Sequence, residues 1–464
     1  TVEFIFTWPF EGMKRFIFCI LILVSSLCAH GQSVHDSKVA NMMNTQDWFA
    51  LRAFLNENGD SLNDFIELCA SALIDTYFND PHAAADKWGE LLDRYGSVLD
   101  ANAKFGYAYL LMNACEDNGD YKRGIGVCDK LLSTENLDSL FVGHIRSARD
   151  RMAGLARASG MRIVMSVPEV SVRLIGKDDF SCEMGWNGHS LPTLFDTGAQ
   201  ISILTKEMAD RIGVKYVSSD TLSATKNGLN MLCAIVDSLS VENMTIYNVP
   251  VYVLQNSPEE LIDFRSDDPD VALHYEKKVK EKAEEKMSKA VIGMPLLKRF
   301  ARIEFDHRKH MVTFSTERMK ETADGSQLCI INNNLYLKYK LNDADIIGYV
   351  DTGMGGEKNL VIYNEYYRRH KKSLPPLLSD DTHVSRMLLP GGLLELNLYN
   401  MSQIRVKIGC EYFKFPGAEV LVDEHNGMNR IDPYSLSGSF IGFSSVKKMK
   451  KIIFDFSRMI CVCK

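Results

Sequence analysis

Two carboxylates in this chain stand in the same uncommon setting. Asp196 and Asp351 each open an Asp-Thr-Gly triplet, Asp196-Thr197-Gly198 and Asp351-Thr352-Gly353. Each follows an apolar pair, Leu194-Phe195 or Tyr349-Val350. Downstream of each triplet comes an apolar-apolar-Gly, Val291-Ile292-Gly293 or Phe440-Ile441-Gly442, and then, at the same further interval, Asp306 or Asp455. A lone Asp-Thr-Gly reads as an Asx-type turn. Two copies with one shared downstream block describe a duplicated domain that brings two carboxylates together. Carboxyl groups held within about 3 Å cannot both ionise easily and share one proton. The charged partner can then act as general base on a trapped water while the neutral one donates to a carbonyl oxygen. Such chemistry requires no metal, covalent intermediate or cofactor, and none is expected.

The positioning elements follow from the same residues. Each Asp leaves an apolar strand and enters a tight loop. Gly198 and Gly353 are expected to supply backbone angles forbidden to a side chain, and to let the two loops approach closely. The Val291–Gly293 and Phe440–Gly442 segments read as scaffold strands threading behind the loops. Asp306 and Asp455 end the strand-like runs RIEFD and KIIFD, where a hairpin turn is needed, and are read as structural.

The pattern resembles that of aspartic proteases of the retropepsin and pepsin type, over roughly residues 163–464. LFDTGAQISIL with VIGMPLLKRFARIEFD is similar to the retropepsin-like form, and two copies in one chain imply two lobes with one catalytic loop each. The resemblance implies Asp196 and Asp351 as the catalytic pair, with Thr197 and Thr352 reaching across to the opposite loop. Gly198, Ala199, Gly353 and Met354 would complete the loops. Ala199 is the small residue expected; Met354 stands where Ala, Ser or Thr is usual, and Gly355 and Gly356 after it would relieve crowding. A flap closing over the peptide is also implied. Gly228, in Lys226-Asn227-Gly228, and Gly391 and Gly392, after Pro390, are candidate tips, with ordinary hairpin turns as the alternative. The substrate implied is a peptide or unfolded protein. The competing reading is a peptide-binding or scaffold protein that retains the fold without cutting. No HExxH, GxSxG or GxxxxGK[ST] motif points to other chemistry.

A chain of 464 residues calls for two or three domains. The expected fold is mainly β, a bilobal pair of acid-protease-like β-barrels behind an α-helical domain. Residues 36–158 carry apolar and small residues three and four apart and read as helices. Within them, FGYAYLLMNACEDNGDYKRGIGVCDKLL resembles a tetratricopeptide helix pair, which implies a protein-partner surface. A helical prodomain or packing module is the preferred reading, since stable arrays usually need three or more repeats. From residue 163 the texture becomes short alternating apolar runs, giving one lobe over 163–316, with a charged helical insertion at 257–290, and a second over 326–464.

The 46% hydrophobic content argues against broad disorder, and a net charge of −7 argues against a nucleic-acid partner. Residues 1–31 read as upstream sequence followed by an export signal: Lys14-Arg15, an apolar run from Phe16 to Leu27, then Ala29-His30-Gly31. A periplasmic or extracellular protein is expected, starting near Gln32. A lipid anchor on Cys28 is the lesser alternative, because Leu27 is bulky for such a site. Eleven cysteines without a CxxC spacing suggest neither a disulfide framework nor a zinc site. A monomer is expected.

Overall fold

The computed structural model describes residues 33–464 apart from 135–136, 138, 177–178, 218–221, 224–229, 257–280, 282–283, 286, 320–323, 355–359, 390–391 and 422–436. The expected export signal, most of the charged insertion, and Gly228, Gly391, Gly355 and Gly356 lie outside the described residues. Two compact units divide the chain near Gly160.

The helical unit contains, among the described residues, α1 (Val34–Asn44), α2 (Trp48–Asn58), α3 (Asp64–Tyr77), α4 (Pro81–Tyr95), α5 (Ala101–Asn118), α6 (Tyr121–Leu132) and α7 (Ser139–Arg157). Polar residues start nearly all of them. Ser33 and Asp36 form a reciprocal capping box on α1, and Asp47, Asn63, Asp80, Asp100 and Asp120 cap the next five by accepting a backbone N–H. Asn118-Gly119-Asp120 forms the turn between α5 and α6. Gly119 is left-handed at φ 85°, and the Asn118 side chain accepts the Asp120 N–H at 2.8 Å. Small residues let the helices close up: a Cβ on Gly124 would fall 2.4 Å from the Met152 sulfur. Trp88, fully buried, stacks on Tyr107 at 5.4 Å between α4 and α5.

The second unit is built of strands. A nine-stranded sheet belongs to the first half. In it the hairpin Ser181–Trp186 to His189–Phe195 turns at Asn187 and Gly188, both at positive φ, and delivers Asp196 at its end. The strand Ala290–Ile292 runs parallel to the last residues of that hairpin, Ile292 beside Phe195. The second half repeats the design. Asn334–Leu341 pairs with Ala344–Asp351, and Ser439–Gly442 runs parallel to the end of the latter, Ile441 beside Val350 and Gly442 beside Asp351. In both halves the outgoing chain then crosses back as a short strand, Ile203–Thr205 or Leu360–Tyr363, antiparallel to the threading strand. A short helix follows each, Lys206–Ile212 and Asn364–His370. The duplication read in the sequence is therefore a duplication of topology.

One set of strands joins the halves. Arg302–Asp306 of the first pairs antiparallel with Lys451–Asp455 of the second, Arg302 opposite Asp455 and Asp306 opposite Lys451. Met311–Ser315 and Glu169–Arg173 extend it on one side. Ile460–Cys463 and Ser326–Ile331 extend it on the other. The joint is approximately two-fold, with a buried aromatic core: Phe180 stacks on Phe305 at 4.1 Å, Phe195 meets Phe314 at 5.1 Å, and Phe305 meets Phe454 at 6.2 Å. The mainly-β fold behind a helical segment is as expected. No disulfide forms among the nine described cysteines, and all but Cys410 are buried.

Candidate active site

The two Asp-Thr-Gly loops meet where the halves join. Thr197 and Thr352 make the contact reciprocal. The Thr197 N–H donates to the Thr352 hydroxyl and the Thr352 N–H to the Thr197 hydroxyl, both at 3.0 Å. Each hydroxyl in turn donates to a carbonyl of the opposite half: Thr197 to Val350 at 2.9 Å, and Thr352 to Phe195 at 2.8 Å. Four buried hydrogen bonds thus fix the carbonyl before each Asp and the amide after it. Replacing either Thr by Val keeps the shape but strips a partner from a buried N–H and from a buried carbonyl. The expected loss is about 2–3 kcal/mol of stability, within the cost of leaving two such groups unmade. Thermal unfolding of Thr197→Val and Thr352→Val checks this, with Thr→Ser at each position expected to retain most of the stability.

The glycines explain how near the carboxylates come. A Cβ on Gly198 would lie 2.3 Å from Cγ of Asp351, and a Cβ on Gly353 would lie 2.3 Å from Cγ of Asp196. Each carboxylate therefore rests on the bare Cα of the other loop. Neither glycine has a left-handed backbone. The expectation that they supply special backbone angles is thus corrected; close approach alone demands them.

Asp196 and Asp351 are both buried, at 8% and 2% exposure. Their surroundings differ. Oδ1 of Asp196 accepts the Gly198 N–H at 2.8 Å. Oδ1 of Asp351 accepts two, from Gly353 at 2.8 Å and from Met354 at 3.1 Å. Ala199 is buried, and its carbonyl accepts the Met294 N–H at 2.9 Å. Gly293 threads behind the loop as its sequence position implied: a Cβ there would lie 2.5 Å from the carbonyls of Ala199 and Ile201. Met354 is buried beside Asp351 and holds it through its backbone.

Sequence reasoning did not find four further contributors, Gln200, Asn333, Asn334 and Tyr349. Gln200, next to Ala199, donates through its side chain to Asn334 at 3.1 Å, and its carbonyl accepts from Asn333 at 3.3 Å. Tyr349 donates its hydroxyl to the Gly198 carbonyl at 3.2 Å. A polar side chain directly after the loop was the available signal for Gln200; Tyr349 was hidden among apolar strand residues.

Asp306 and Asp455 lie elsewhere and do turn work. Asp306 accepts the Lys309 N–H at 3.0 Å. Oδ1 of Asp455 accepts from Ser457 N, Ser457 Oγ and Arg458 N, and Oδ2 accepts from Met319 N at 3.4 Å. The described strands on either side of the candidate flap tips pair with one another. Leu222–Ser223 pairs with Asn230–Met231 across undescribed residues that include Gly228. Leu377–Leu389 pairs with Gly392–Met401, Leu389 opposite Gly392, with Gly391 between them outside the described residues. Among the described residues no group of three or more His, Cys, Asp or Glu is arranged to hold a metal ion.

The paired loops, each backed by a parallel strand, bring two buried carboxylates together where the halves join. Residues 182–295, which hold the whole first loop and its threading strand, match the family model described as aspartyl protease. Among solved structures the chain is similar to a retropepsin-like aspartic protease from Rickettsia conorii, at 18% identity. That likeness covers 33% of this chain and 92% of the other, with a TM-score of 0.20. No curated protein matches the chain significantly.

Proposed function

We propose that the protein is an exported aspartic endopeptidase that hydrolyses peptide bonds with a water activated between Asp196 and Asp351. The observation that carries this reading is that a Cβ on the glycine of either loop would overlap the carboxylate of the opposite one. Only a paired, buried arrangement needs both glycines bare. In the proposed cycle the ionised carboxylate takes a proton from the water as its oxygen attacks the peptide carbonyl carbon. The neutral carboxyl gives its proton to the carbonyl oxygen, forming a tetrahedral diol. Collapse breaks the C–N bond, returns one proton to the pair, and delivers another to the leaving amine. One chain supplies both carboxylates, so a monomer suffices. The hairpin ending at Leu389 and Gly392, and the one spanning Ser223 and Asn230, are proposed to close over the peptide and exclude water.

The helical unit, with consecutive helix pairs α3–α4 and α5–α6, is proposed as a tetratricopeptide-like module that docks a protein partner or substrate. Export is proposed on the order of basic, apolar and small residues from Lys14 to Gly31. N-terminal sequencing of protein from the producing cell should find a start near Gln32; retention of Met13 in the cytoplasm would overturn it.

The enzyme is tested by incubating the mature chain with denatured proteins from pH 3 to 8, with and without a statine-type inhibitor. Inhibitor-sensitive fragmentation is expected. Met354 should set where activity lies on that range. It offers Asp351 a backbone N–H but no side-chain hydrogen-bond donor of strength. A hydroxyl there would favour the ionised pair. Met354→Ser is therefore expected to shift the acid limb of the pH–rate profile downward by about one unit, the scale of a charge-assisted hydrogen bond. The wild type should stay active toward neutral pH. An unmoved limb in both Met354→Ser and Met354→Thr would remove Met354 from this role.

A further inference from the structure

We propose that Tyr349 is a positioning residue for the catalytic pair, acting through Gly198; the inference rests on the proteolytic reading of Asp196 and Asp351. Tyr349 is buried two residues before Asp351, its ring 5.7 Å from that of Tyr336 and 5.6 Å from that of Phe440. Its hydroxyl crosses to the other half and donates to the Gly198 carbonyl at 3.2 Å.

Gly198 is where the constraints on the pair converge. Its N–H donates to Oδ1 of Asp196, its bare Cα faces the carboxylate of Asp351, and its carbonyl accepts from Tyr349. A residue tied at both N–H and C=O has both flanking peptide planes fixed, because each plane is rigid. The two carboxylates depend on this unequally. Asp351 accepts two N–H groups from its own loop, whereas the hydrogen bond described for the Asp196 carboxylate is the one from Gly198. Whatever orients Gly198 therefore orients Asp196. The tie is also one-sided: the residue two before Asp196 is Leu194, which has no hydroxyl. Across a nearly two-fold site, the second half thus controls the carboxylate of the first.

Tyr349→Phe in the full mature chain tests this, since the ring and its packing stay while the hydroxyl goes. A residue that aligns reacting groups lowers kcat and kcat/KM together and leaves KM alone. The expected result is a kcat lower by about tenfold with KM within about twofold, a modest fraction of the loss that a full misplacement brings. Amide hydrogen exchange gives a second readout that does not need turnover. The Gly198 N–H should exchange about tenfold faster in the variant, the scale of one weakened hydrogen bond, while the Thr197 and Thr352 N–H groups keep their protection. A lowered melting temperature with wild-type kcat and wild-type Gly198 exchange would overturn the proposal, leaving Tyr349 a merely structural residue. If the wild-type chain cleaves nothing, the proteolytic reading fails by itself, and Gly198 exchange in the variant still decides the positioning.

Discussion

Asp351→Asn is expected to yield a folded chain that no longer cuts peptides. The substitution preserves shape and the loop's hydrogen bonds. An amide oxygen at Oδ1 can accept the same N–H groups of Gly353 and Met354 that the carboxylate accepts. The reciprocal threonine bonds involve no carboxylate atom and should persist. What disappears is the group that can take or give a proton, because an amide nitrogen at this position carries donors only. The shared-proton state cannot form. Loss of a general acid–base group costs about 10²–10⁴ in rate, and both roles of the pair are lost together, so the upper end of that range is expected. Asp196→Asn should behave alike. Both variants should melt no lower than wild type at neutral pH, since each removes one of two neighbouring carboxylates. Measured cleavage near wild-type rate in either variant would remove the pair from the mechanism, whereas a wild-type chain that binds peptides and cleaves none would favour a protein that grips peptides without cutting them.

Several parts of this site were legible in the sequence because they are local. The two Asp-Thr-Gly loops, the glycine-ended strands behind them and the turn roles of Asp306 and Asp455 are each written in a few adjacent residues. So are the strand-rich texture, through period-two alternation, and the helical texture of residues 36–158, through apolar and small residues three and four apart. The links across the halves were not legible, because nothing in a strand's own pattern names its partner. The Tyr349 hydroxyl bond and the Gln200–Asn334 pair join residues more than a hundred positions apart. The pairing of Arg302–Asp306 with Lys451–Asp455 is likewise a product of the two-fold joint, invisible in either segment alone. Even where a residue was singled out, its reason could be misread. Gly198 and Gly353 are small because a carboxylate lies against them, not because the chain turns left-handed there.

That distinction makes Gly198→Ala and Gly353→Ala the sharpest probes of the site. If a special φ were the reason for glycine, alanine would strain the backbone and leave the opposite carboxylate alone. Here alanine fits the backbone, and its Cβ strikes the carboxylate instead. In Gly198→Ala the new carbon would lie 2.3, 2.4 and 2.5 Å from Cγ, Oδ2 and Oδ1 of Asp351. In Gly353→Ala it would lie 2.2, 2.3 and 2.5 Å from Oδ2, Cγ and Oδ1 of Asp196. Relief requires the carboxylate to retreat by about 1 Å to reach ordinary van der Waals contact, and a displacement of that size costs about 10² in rate. Overpacking in a closed site also costs about 1–3 kcal/mol of stability. The two variants should differ. Asp351 must break away from two N–H groups to retreat, Asp196 from one, so Gly198→Ala should destabilise more than Gly353→Ala. Melting temperatures and kcat of the two variants measure both effects. Equal, near wild-type activity in both would mean that the loops stand further apart in solution than this geometry requires, and the shared-proton mechanism would fall with it.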